Sequence, residues 1–151
     1  MRMYAPEVGG DVILACFDQG HRIALIRPEP PAAGHPLRLP TVQRRGAESY
    51  GRAARRLARE LAPTGAVRMA KVTGLIRAAG PGCASRRPVE RRLFTAHATF
   101  AGGVCAAGEL LAWVPYAQVV GRTAGMAIAE LGLFLEGYVG GWIPDGWISL
   151  E

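Results

Sequence analysis

The first third of the chain contains two short apolar runs on either side of a turn sequence. Residues 11–16 read DVILAC, residues 22–27 read RIALIR, and residues 18–20, which read DQG, lie between them. Short aliphatic and β-branched runs around a turn that contains Asp and Gly are typical of a β-hairpin. The pattern therefore predicts two antiparallel strands. Residues 28–40 hold five prolines, which lack a backbone donor, and are expected to form an irregular connection.

The next segment, residues 48–62, reads ESYGRAARRLARELA and consists mostly of helix formers. Its small and aliphatic side chains recur at helical spacing within an arc of about 140°, and they are Ala53, Ala54, Leu57, Ala58 and Leu61. The arginines outside this arc are Arg52, Arg55, Arg56 and Arg59. Pro63 and Gly65 end the pattern. The sequence therefore predicts an amphipathic helix with an arginine-rich outer face.

Strand patterns return in residues 67–76, 89–100 and 109–114. Alternation along the second of these places Phe94, Ala96, Ala98 and Phe100 on one face and Leu93, Thr95, His97 and Thr99 on the other. Residues 123–138 carry apolar side chains at helical spacing and predict a second helix that packs on the sheet. The tail after it holds a Pro-Asp-Gly turn between two Trp-Ile pairs. This order of elements predicts an α/β fold in which helices cover a mixed sheet.

The chain has 151 residues, half of them hydrophobic, which suits one globular domain with a sizeable core. We therefore expect residues 1–151 to form a single domain. Glu130 and Glu136 interrupt the best apolar run before it reaches the roughly 18 to 20 residues of a membrane helix. No segment near the start has the pattern of a signal peptide. These observations predict a cytoplasmic protein with no membrane partner.

Positive charge is concentrated in the first part of the chain. Residues 1–92 carry 17 basic and 7 acidic side chains, whereas residues 93–151 carry 1 and 5. All but one of the basic residues are arginines, whose planar guanidinium binds phosphate and carboxylate groups. Such an arginine rim predicts either an anionic partner or a solvated surface, and its members are Arg44, Arg45, Arg52, Arg86, Arg87, Arg91 and Arg92. Nucleic acid is not the expected partner, because the sequence has no aromatic-rich RNA-binding strand motif and no helix-turn-helix signature.

The residues that most often bind transition metals are scattered singly along the chain. They form no Cys-x-x-Cys and no His-x-x-x-His pair, and they are Cys16, Cys83, Cys105, His21, His35 and His97. The sequence therefore predicts neither a zinc site nor a disulfide framework. His97 lies on a predicted strand face, where a lone histidine serves either packing or acid–base chemistry. Trp142 and Trp147 in the tail are expected either to cover the core or to form a homodimer contact.

Several short motifs occur in an order that is found in one known family. They are Leu39-Pro40, Glu48-Ser49, Ala53-Ala54-Arg55-Arg56 with Glu60, and further downstream Ala112-Trp113-Val114-Pro115. Together they resemble the Nudix hydrolases, whose box reads Gly-x5-Glu-x7-Arg-Glu-U-x-Glu-Glu-x-Gly-U with U aliphatic. The resemblance implies a Nudix-like α/β/α sandwich with a mixed β-sheet. Glu48 and Arg56 correspond to a pair that in the family braces the loop against the helix.

The match to this box is degenerate at the acidic positions of the helix. Family members use these glutamates to hold Mg²⁺ or Mn²⁺ against a diphosphate. In this chain Glu60 is retained, whereas Leu57 and Leu61 stand at the other two acidic positions. The resemblance therefore implies a weak Mg²⁺ or Mn²⁺ site at most, with Glu60 as its helix ligand. An alternative register, in which residues 59–61 supply the Arg-Glu-U tripeptide, also leaves a single ligand.

The residues and the resemblance together predict a protein that binds an anionic, nucleotide- or diphosphate-linked small molecule, with weak, altered or absent metal-dependent hydrolysis. The candidate catalytic residues are Glu60 and His97. The candidate ligand-binding residues are Arg44, Arg45, Arg52 and Arg56. Three alternatives remain open. They are an active hydrolase whose missing metal ligands come from Glu90 or Glu109, a metal-independent enzyme that uses His97, and a basic RNA-binding module.

Overall fold

The computed structural model describes residues 10–27, 37–62, 67–78, 89–99, 108–122, 128 and 130–150. These residues contain seven strands and three α-helices. The strands are β1 Asp11–Phe17, β2 Arg22–Arg27, β3 Thr41–Gln43, β4 Val67–Ala78, β5 Val89–Ala98, β6 Leu110–Pro115 and β7 Gly146–Leu150. The helices are α1 Tyr50–Leu61, α2 Val119–Arg122 and α3 Leu131–Gly140, and a 3-10 turn at Tyr116–Gln118 precedes α2. None of these helices is both long and apolar enough to cross a membrane.

The seven strands form one mixed sheet in the order β6-β2-β1-β5-β4-β7, with β3 paired to β1. Strands β1 and β5 run parallel, as do β4 and β7, whereas the other pairs are antiparallel. Two strands share one edge of β1: its end at Phe17 pairs with Ile23 of β2, and its start at Val12 pairs with Val42 of β3. The sheet therefore has the centrally placed β1 and β5 as its core.

Helix α1 lies on one face of the sheet. Ser49 is its N-cap, and the Ser49 hydroxyl oxygen accepts a hydrogen bond of 3.1 Å from the backbone N–H of Arg52. The second half of the helix buries Leu57, Ala58 and Leu61. Their partners on the sheet are Leu14, Cys16, Ala24, Ile26, Ala96, Ala98 and Leu111. The apolar arc predicted from the sequence is therefore the buried surface of α1.

Helix α3 covers the opposite face of the sheet. It buries Leu131, Phe134 and Leu135 against side chains of the central strands and their neighbours. The sheet residues in this second cluster include Ile13, Ala15, Phe17, Val72, Ile76 and Leu93. The alternation in β5 is confirmed, because Leu93 packs under α3 whereas Ala96 and Ala98 pack under α1. The predicted α/β/α sandwich with a mixed sheet is confirmed by this arrangement.

Several predicted boundaries differ from the observed ones. The first helix begins at Tyr50 and not at residue 48, because the backbone of the preceding residues forms the turn and the N-cap. Strand β6 extends through Pro115, which is tolerated because β6 is an edge strand and the missing N–H breaks no ladder. The second helix begins at Leu131, while Ile128 precedes it as a non-helical residue. Of the segment predicted as this helix, residues 123–127 and 129 lie outside the described residues.

The sequence patterns did not predict strands β3 and β7, nor the backbone pairing of Arg38 with Ile26. Residues 37–40 were expected to be irregular, yet Arg38 exchanges two backbone hydrogen bonds with Ile26, of 2.7 and 3.0 Å. Strand β3 has only three residues, too few for alternation to be visible. Strand β7 was assigned to a turn-containing tail, but it pairs in parallel with β4. Each of these pairings is long-range, so no local pattern indicates it.

Candidate functional site

The loop before α1 is fixed to the helix by a partly buried ion pair between Arg56 and Glu48. Arg56 Nε donates to Glu48 Oε2 at 3.0 Å, and Arg56 Nη2 donates to Glu48 Oε1 at 2.8 Å. The Arg56 Nη2 atom also donates to the carbonyl oxygen of Gln43 at 3.0 Å. The backbone N–H of Arg45 donates to Glu48 Oε1 at 3.0 Å. A bidentate pair of this kind holds both side chains in one geometry.

This network lowers the pKa of the Glu48 carboxyl to about 2, mainly through the hydrogen bonds from Arg56 and then through that from the backbone of Arg45. The Glu48 carboxylate therefore stays charged at any pH near neutrality. Because the Arg56 guanidinium donates to both carboxylate oxygens of Glu48, it holds the loop against α1 and is not open to bind an anionic ligand in the same way. Its third nitrogen, Nη1, lies 3.9 Å from Glu60 Oε2.

The two leucines that the resemblance places at acidic positions of the Nudix box are buried on α1. Leu57 is 6% exposed and Leu61 is 1% exposed, and both belong to the apolar cluster between α1 and the sheet. Glu60 lies between them on the helix, and its side chain is 44% exposed. Mg²⁺ is usually bound through one or two protein carboxylates, with waters and substrate phosphates as its other ligands. At these three positions the helix offers a divalent cation one carboxylate, that of Glu60.

The two acidic residues considered as replacement ligands are engaged elsewhere. Arg92 Nη2 lies 2.7 Å from Glu90 Oε2, and Arg38 Nη2 donates to Glu109 Oε2 at 3.0 Å. Both carboxylates are thus in ion pairs with arginines of the sheet region and not with residues of α1. Within the part of the chain that the structure describes, no group of three or more His, Cys, Asp or Glu side chains is arranged to hold a metal ion.

Where the structure describes them, arginines of the predicted rim stack on aromatic rings. The guanidinium carbon of Arg44 lies 4.2 Å from the centroid of the Tyr50 ring. That of Arg92 lies 3.8 Å from the same ring and 4.5 Å from the ring of Trp147. The alternating stack of cations and rings ties the start of α1 to β5 and β7. Arg45 and Arg52 are exposed and Arg91 is half-buried, whereas Arg86 and Arg87 lie outside the described residues.

An open cleft of about 350 Å³ lies on the other face of the sheet, at the end of β1 and β5. Nine residues line it: Phe17, His21, Val72, His97, Tyr138, Val139, Gly141, Ile143 and Asp145. The cleft combines apolar walls with two imidazoles, one phenol and one carboxylate. A concave site that combines apolar side chains with several converging polar groups has the character of a small-molecule site.

A short hydrogen bond joins two of the polar groups in the cleft. His97 Nε2 lies 2.6 Å from Tyr138 Oη. The Phe17 ring contacts both rings, with centroid distances of 5.8 Å to His97 and 5.1 Å to Tyr138. Burial lowers the pKa of His97, and the positive charge of Arg68 and the nearby His21 act in the same direction. Burial also raises the pKa of Tyr138, so both groups are held in their uncharged forms near neutral pH.

The structure places the two predicted catalytic residues on opposite faces of the sheet. Glu60 is on α1, whereas His97 projects under α3 and packs on Phe17 and Tyr138. They do not contribute to one site. Sequence reasoning singled out His97 but missed His21 and Asp145, which come from loops far apart in the chain. The one available signal was the alternation in β5, which separates His97 from the apolar face under α1.

The remaining predicted residues divide into buried and exposed groups. Cys16 is fully buried, and burial together with the nearby charge of Asp18 raises the pKa of its thiol to about 12, so it is not a reactive thiolate. Cys83 and Cys105 lie outside the described residues. Trp142 and Trp147 are 59% and 57% exposed, so neither is a core flap.

The fold matches solved structures of Nudix hydrolases. A Caenorhabditis elegans Ap4A hydrolase in a binary complex has a TM-score of 0.66 at 12% identity, covering 89% of this chain and 99% of that one. A Nitrosomonas europaea NUDIX hydrolase has a TM-score of 0.62 at 15% identity, covering 92% and 93%. An Escherichia coli dihydroneopterin triphosphate pyrophosphohydrolase has a TM-score of 0.60 at 12% identity, covering 87% and 95%.

These comparisons show that the chain has the Nudix fold. The identities of 12 to 15% establish the architecture and do not by themselves assign an activity. No family profile and no curated protein matches the sequence.

Proposed function

We propose that this Nudix-fold protein binds an anionic, nucleotide- or diphosphate-linked small molecule in the cleft under α3, with weak or absent metal-dependent hydrolysis at α1. The observation that carries the proposal is the burial of Leu57 and Leu61 at the positions where the family's box has acidic residues. The box is degenerate in the residues that would do the metal chemistry, while Glu48 and Arg56, which only brace the loop, are in contact.

Packing agrees with the residue types at these positions. Leu61 is 1% exposed and belongs to the apolar cluster between α1 and the sheet, so this position supplies no oxygen ligand to a cation. Two unit charges about 4 Å apart are worth roughly 4 kcal/mol at an effective dielectric near 20, and each missing carboxylate removes such an attraction. Glu60 alone therefore supports at most weak binding of Mg²⁺ or Mn²⁺.

The names of the structural neighbours support the class of ligand. One is described as an Ap4A hydrolase and another as a dihydroneopterin triphosphate pyrophosphohydrolase, so both act on molecules that join a heterocycle to phosphates. The cleft of this chain has apolar walls and hydrogen-bonding groups that suit the same kind of molecule. The cleft therefore supports the proposal that this chain binds a ligand of this class.

Turnover measurements test this proposal. Nucleoside diphosphate derivatives are incubated with the protein in Mg²⁺ or in Mn²⁺, and binding is measured in parallel by calorimetry. We expect saturable binding with little or no hydrolysis, and no difference between the wild type and Glu60→Gln. Robust hydrolysis that Glu60→Gln abolishes would instead support an active hydrolase with relocated metal ligands.

A second candidate function is metal-independent acid–base chemistry in the same cleft. The observation that favours it is the 2.6 Å contact between His97 Nε2 and Tyr138 Oη, since a neutral imidazole near neutral pH is able to accept a proton. Activity that persists in EDTA and disappears in His97→Ala would establish this function. Activity lost in EDTA but kept in His97→Ala would reject it.

The remaining expectations about partners stay predictions. An RNA-binding role predicts an RNA affinity that falls steeply with salt, and the stacking of Arg44 and Arg92 on aromatic rings does not favour it. A homodimer through the exposed Trp142 and Trp147 predicts a concentration-dependent mass in solution. The single-domain organisation and the cytoplasmic location inferred from the sequence are likewise proposals.

A further inference from the structure

We infer that the ligand has one orientation: its uncharged ring enters the cleft beside Asp145, and its phosphate groups remain outside, where Arg68 binds them. This inference rests on the proposed function and adds to it the two residues that set the direction of the ligand. Asp145 lines the cleft, whereas Arg68 is not among the lining residues and is the cross-strand partner of the lining residue His97.

The position of Arg68 follows from the register of β4 and β5. Arg68 is the direct cross-strand partner of His97 in this antiparallel pair. Side chains of directly opposed residues lie on the same face of a sheet, with Cβ atoms about 5 Å apart. Arg68 is exposed, so its guanidinium is available at the rim of the cleft next to His97. Its charge also lowers the pKa of both His97 and Tyr138, which agrees with a position close to both groups.

The charge of the cleft itself argues against phosphates inside it. Asp145 contributes a carboxylate to the lining, and none of the nine lining residues is a lysine or arginine. A carboxylate repels a phosphate but accepts hydrogen bonds from the N–H groups of a heterocycle. Since His97 is held uncharged, it does not offset this repulsion. The phosphates are therefore better placed at Arg68 than beside Asp145.

The size and the walls of the cleft suit the ring end of the ligand. A volume of about 350 Å³ is near the lower limit for small-molecule sites, which favours one nucleoside over a complete dinucleotide. Phe17, Val139 and Ile143 supply apolar surface for a planar ring. The class of ligand is therefore a nucleotide or a related heterocycle with an N–H donor on its ring and a phosphate at the other end.

A ligand series separates the two ends of the molecule. Calorimetry measures the binding of the four common ribonucleosides, their 5′-monophosphates and their 5′-diphosphates to the full chain. Arg68→Gln is compared with Arg55→Gln, which removes an exposed arginine from α1 on the opposite face of the sheet. We expect Arg68→Gln to lower the affinity for the mono- and diphosphates about tenfold while the affinity for the nucleosides is unchanged. Arg55→Gln is expected to change none of them.

Asp145→Asn tests the ring end, with Glu136→Gln on the exposed side of α3 as its control. We expect Asp145→Asn to weaken nucleoside binding severalfold and to reduce the differences in affinity among the four nucleosides, because the amide both donates and accepts hydrogen bonds. Glu136→Gln is expected to have no effect. Circular dichroism verifies that all four variants are folded.

The outcomes separate the inference from the proposed function. Nucleotide binding that Arg68→Gln leaves unchanged, or weakens equally for nucleosides and phosphates, overturns the orientation but leaves the proposed function standing. A wild-type protein that binds no member of the series overturns both. Loss of phosphate affinity in Arg68→Gln alone supports the orientation.

Discussion

The face of the sheet under α1 and the face under α3 use the same central strands but present different surfaces. Under α1, Leu57 and Leu61 fill the space beside the sheet with aliphatic side chains, and the nearest carboxylate, Glu60, points toward solvent and Arg56. Under α3, His97 and Tyr138 lie at the edge of the packed core and line an open cleft. Leucine side chains of α1 are part of the core on one face, while the other face has polar groups at a concave surface.

This difference teaches that the frame of a fold and the chemistry of its site depend on different residues. The Glu48–Arg56 ion pair holds the loop on α1 in place, and it does so without depending on the residues at positions 57 and 61. A brace of this kind stabilises the fold, so its presence is no evidence of catalysis. The polar side chains of the cleft border a concave surface, which is the observation that the proposed binding function uses.

The largest effect is expected when a carboxylate is returned to the face under α1. Leu61→Glu places a charge in a position that is 1% exposed and surrounded by apolar side chains. We expect a loss of about 3 kcal/mol or more in the free energy of unfolding, because the buried charge has no partner. Chemical denaturation measures this loss, and Arg55→Glu on the exposed side of the same helix serves as the control with a change of about 0.5 kcal/mol or less. A Leu61→Glu protein as stable as the wild type would show that this face is open to water and ions.

The next largest effect concerns the brace, and it depends on pH. The pKa of Glu48 is about 2 in the folded protein and 4.5 in the absence of partners, so the stabilisation is complete above pH 4.5 and is lost as the pH falls through 2. In Arg56→Gln the Glu48 pKa is expected to return toward 4.5, which flattens this part of the pH dependence. Carboxyl carbon NMR measures the pKa, and unfolding experiments between pH 2 and 5 measure the stability. An unchanged Glu48 pKa in the variant would mean that Arg56 is not its main partner.

A smaller effect is expected in the cleft. Tyr138→Phe removes the hydroxyl that lies 2.6 Å from His97 Nε2 and leaves the aromatic packing on Phe17 intact. We expect a loss of about 1 kcal/mol in the free energy of unfolding, the usual net value of one hydrogen bond. Tyr116→Phe, at a tyrosine that packs against the same apolar cluster, is the control. A loss of unfolding free energy as large as that of Leu61→Glu would show that Tyr138 belongs to the core and not to a binding surface.

The smallest expected effect is a shift in the pKa of His97. Arg68→Gln removes a positive charge that, after burial, is the next cause of the lowered pKa of His97. The His97 pKa is therefore expected to rise toward its usual value, and the remaining difference is the part caused by burial and His21. Proton–nitrogen NMR of the imidazole measures it, with Arg59→Gln on α1 as the control. A His97 pKa that does not move would place Arg68 away from the cleft.

The sequence predicted the elements whose pattern is local. The hairpin of β1 and β2, the buried arc of α1 and the alternation of β5 all follow from side chains a few positions apart. Strand β7 was missed because its partner β4 lies about 70 residues earlier in the chain, and only the folded sheet brings them together. Parallel pairing of this kind has no signature within either strand.

The candidate site was predictable only in part, for the same reason. The resemblance, in its first register, implies that Leu57 and Leu61 stand at acidic positions of the box, and both lie on one helix. The cleft takes Phe17 and His21 from the β1–β2 hairpin, His97 from β5 and Asp145 from the loop before β7. These residues are separated by long stretches of chain, so the alternation of β5 revealed His97 and nothing local revealed its neighbours.

The most direct test of the contrast between the two faces is a crystal structure of the protein soaked with Mn²⁺ and a nucleoside diphosphate. The anomalous signal of manganese locates the ion, and the electron density of the heterocycle locates the ligand. The account predicts a heterocycle in the cleft beside Asp145, phosphates near Arg68, and no manganese on α1. Manganese coordinated by Glu60 and other carboxylates, with the diphosphate held against α1, would contradict it.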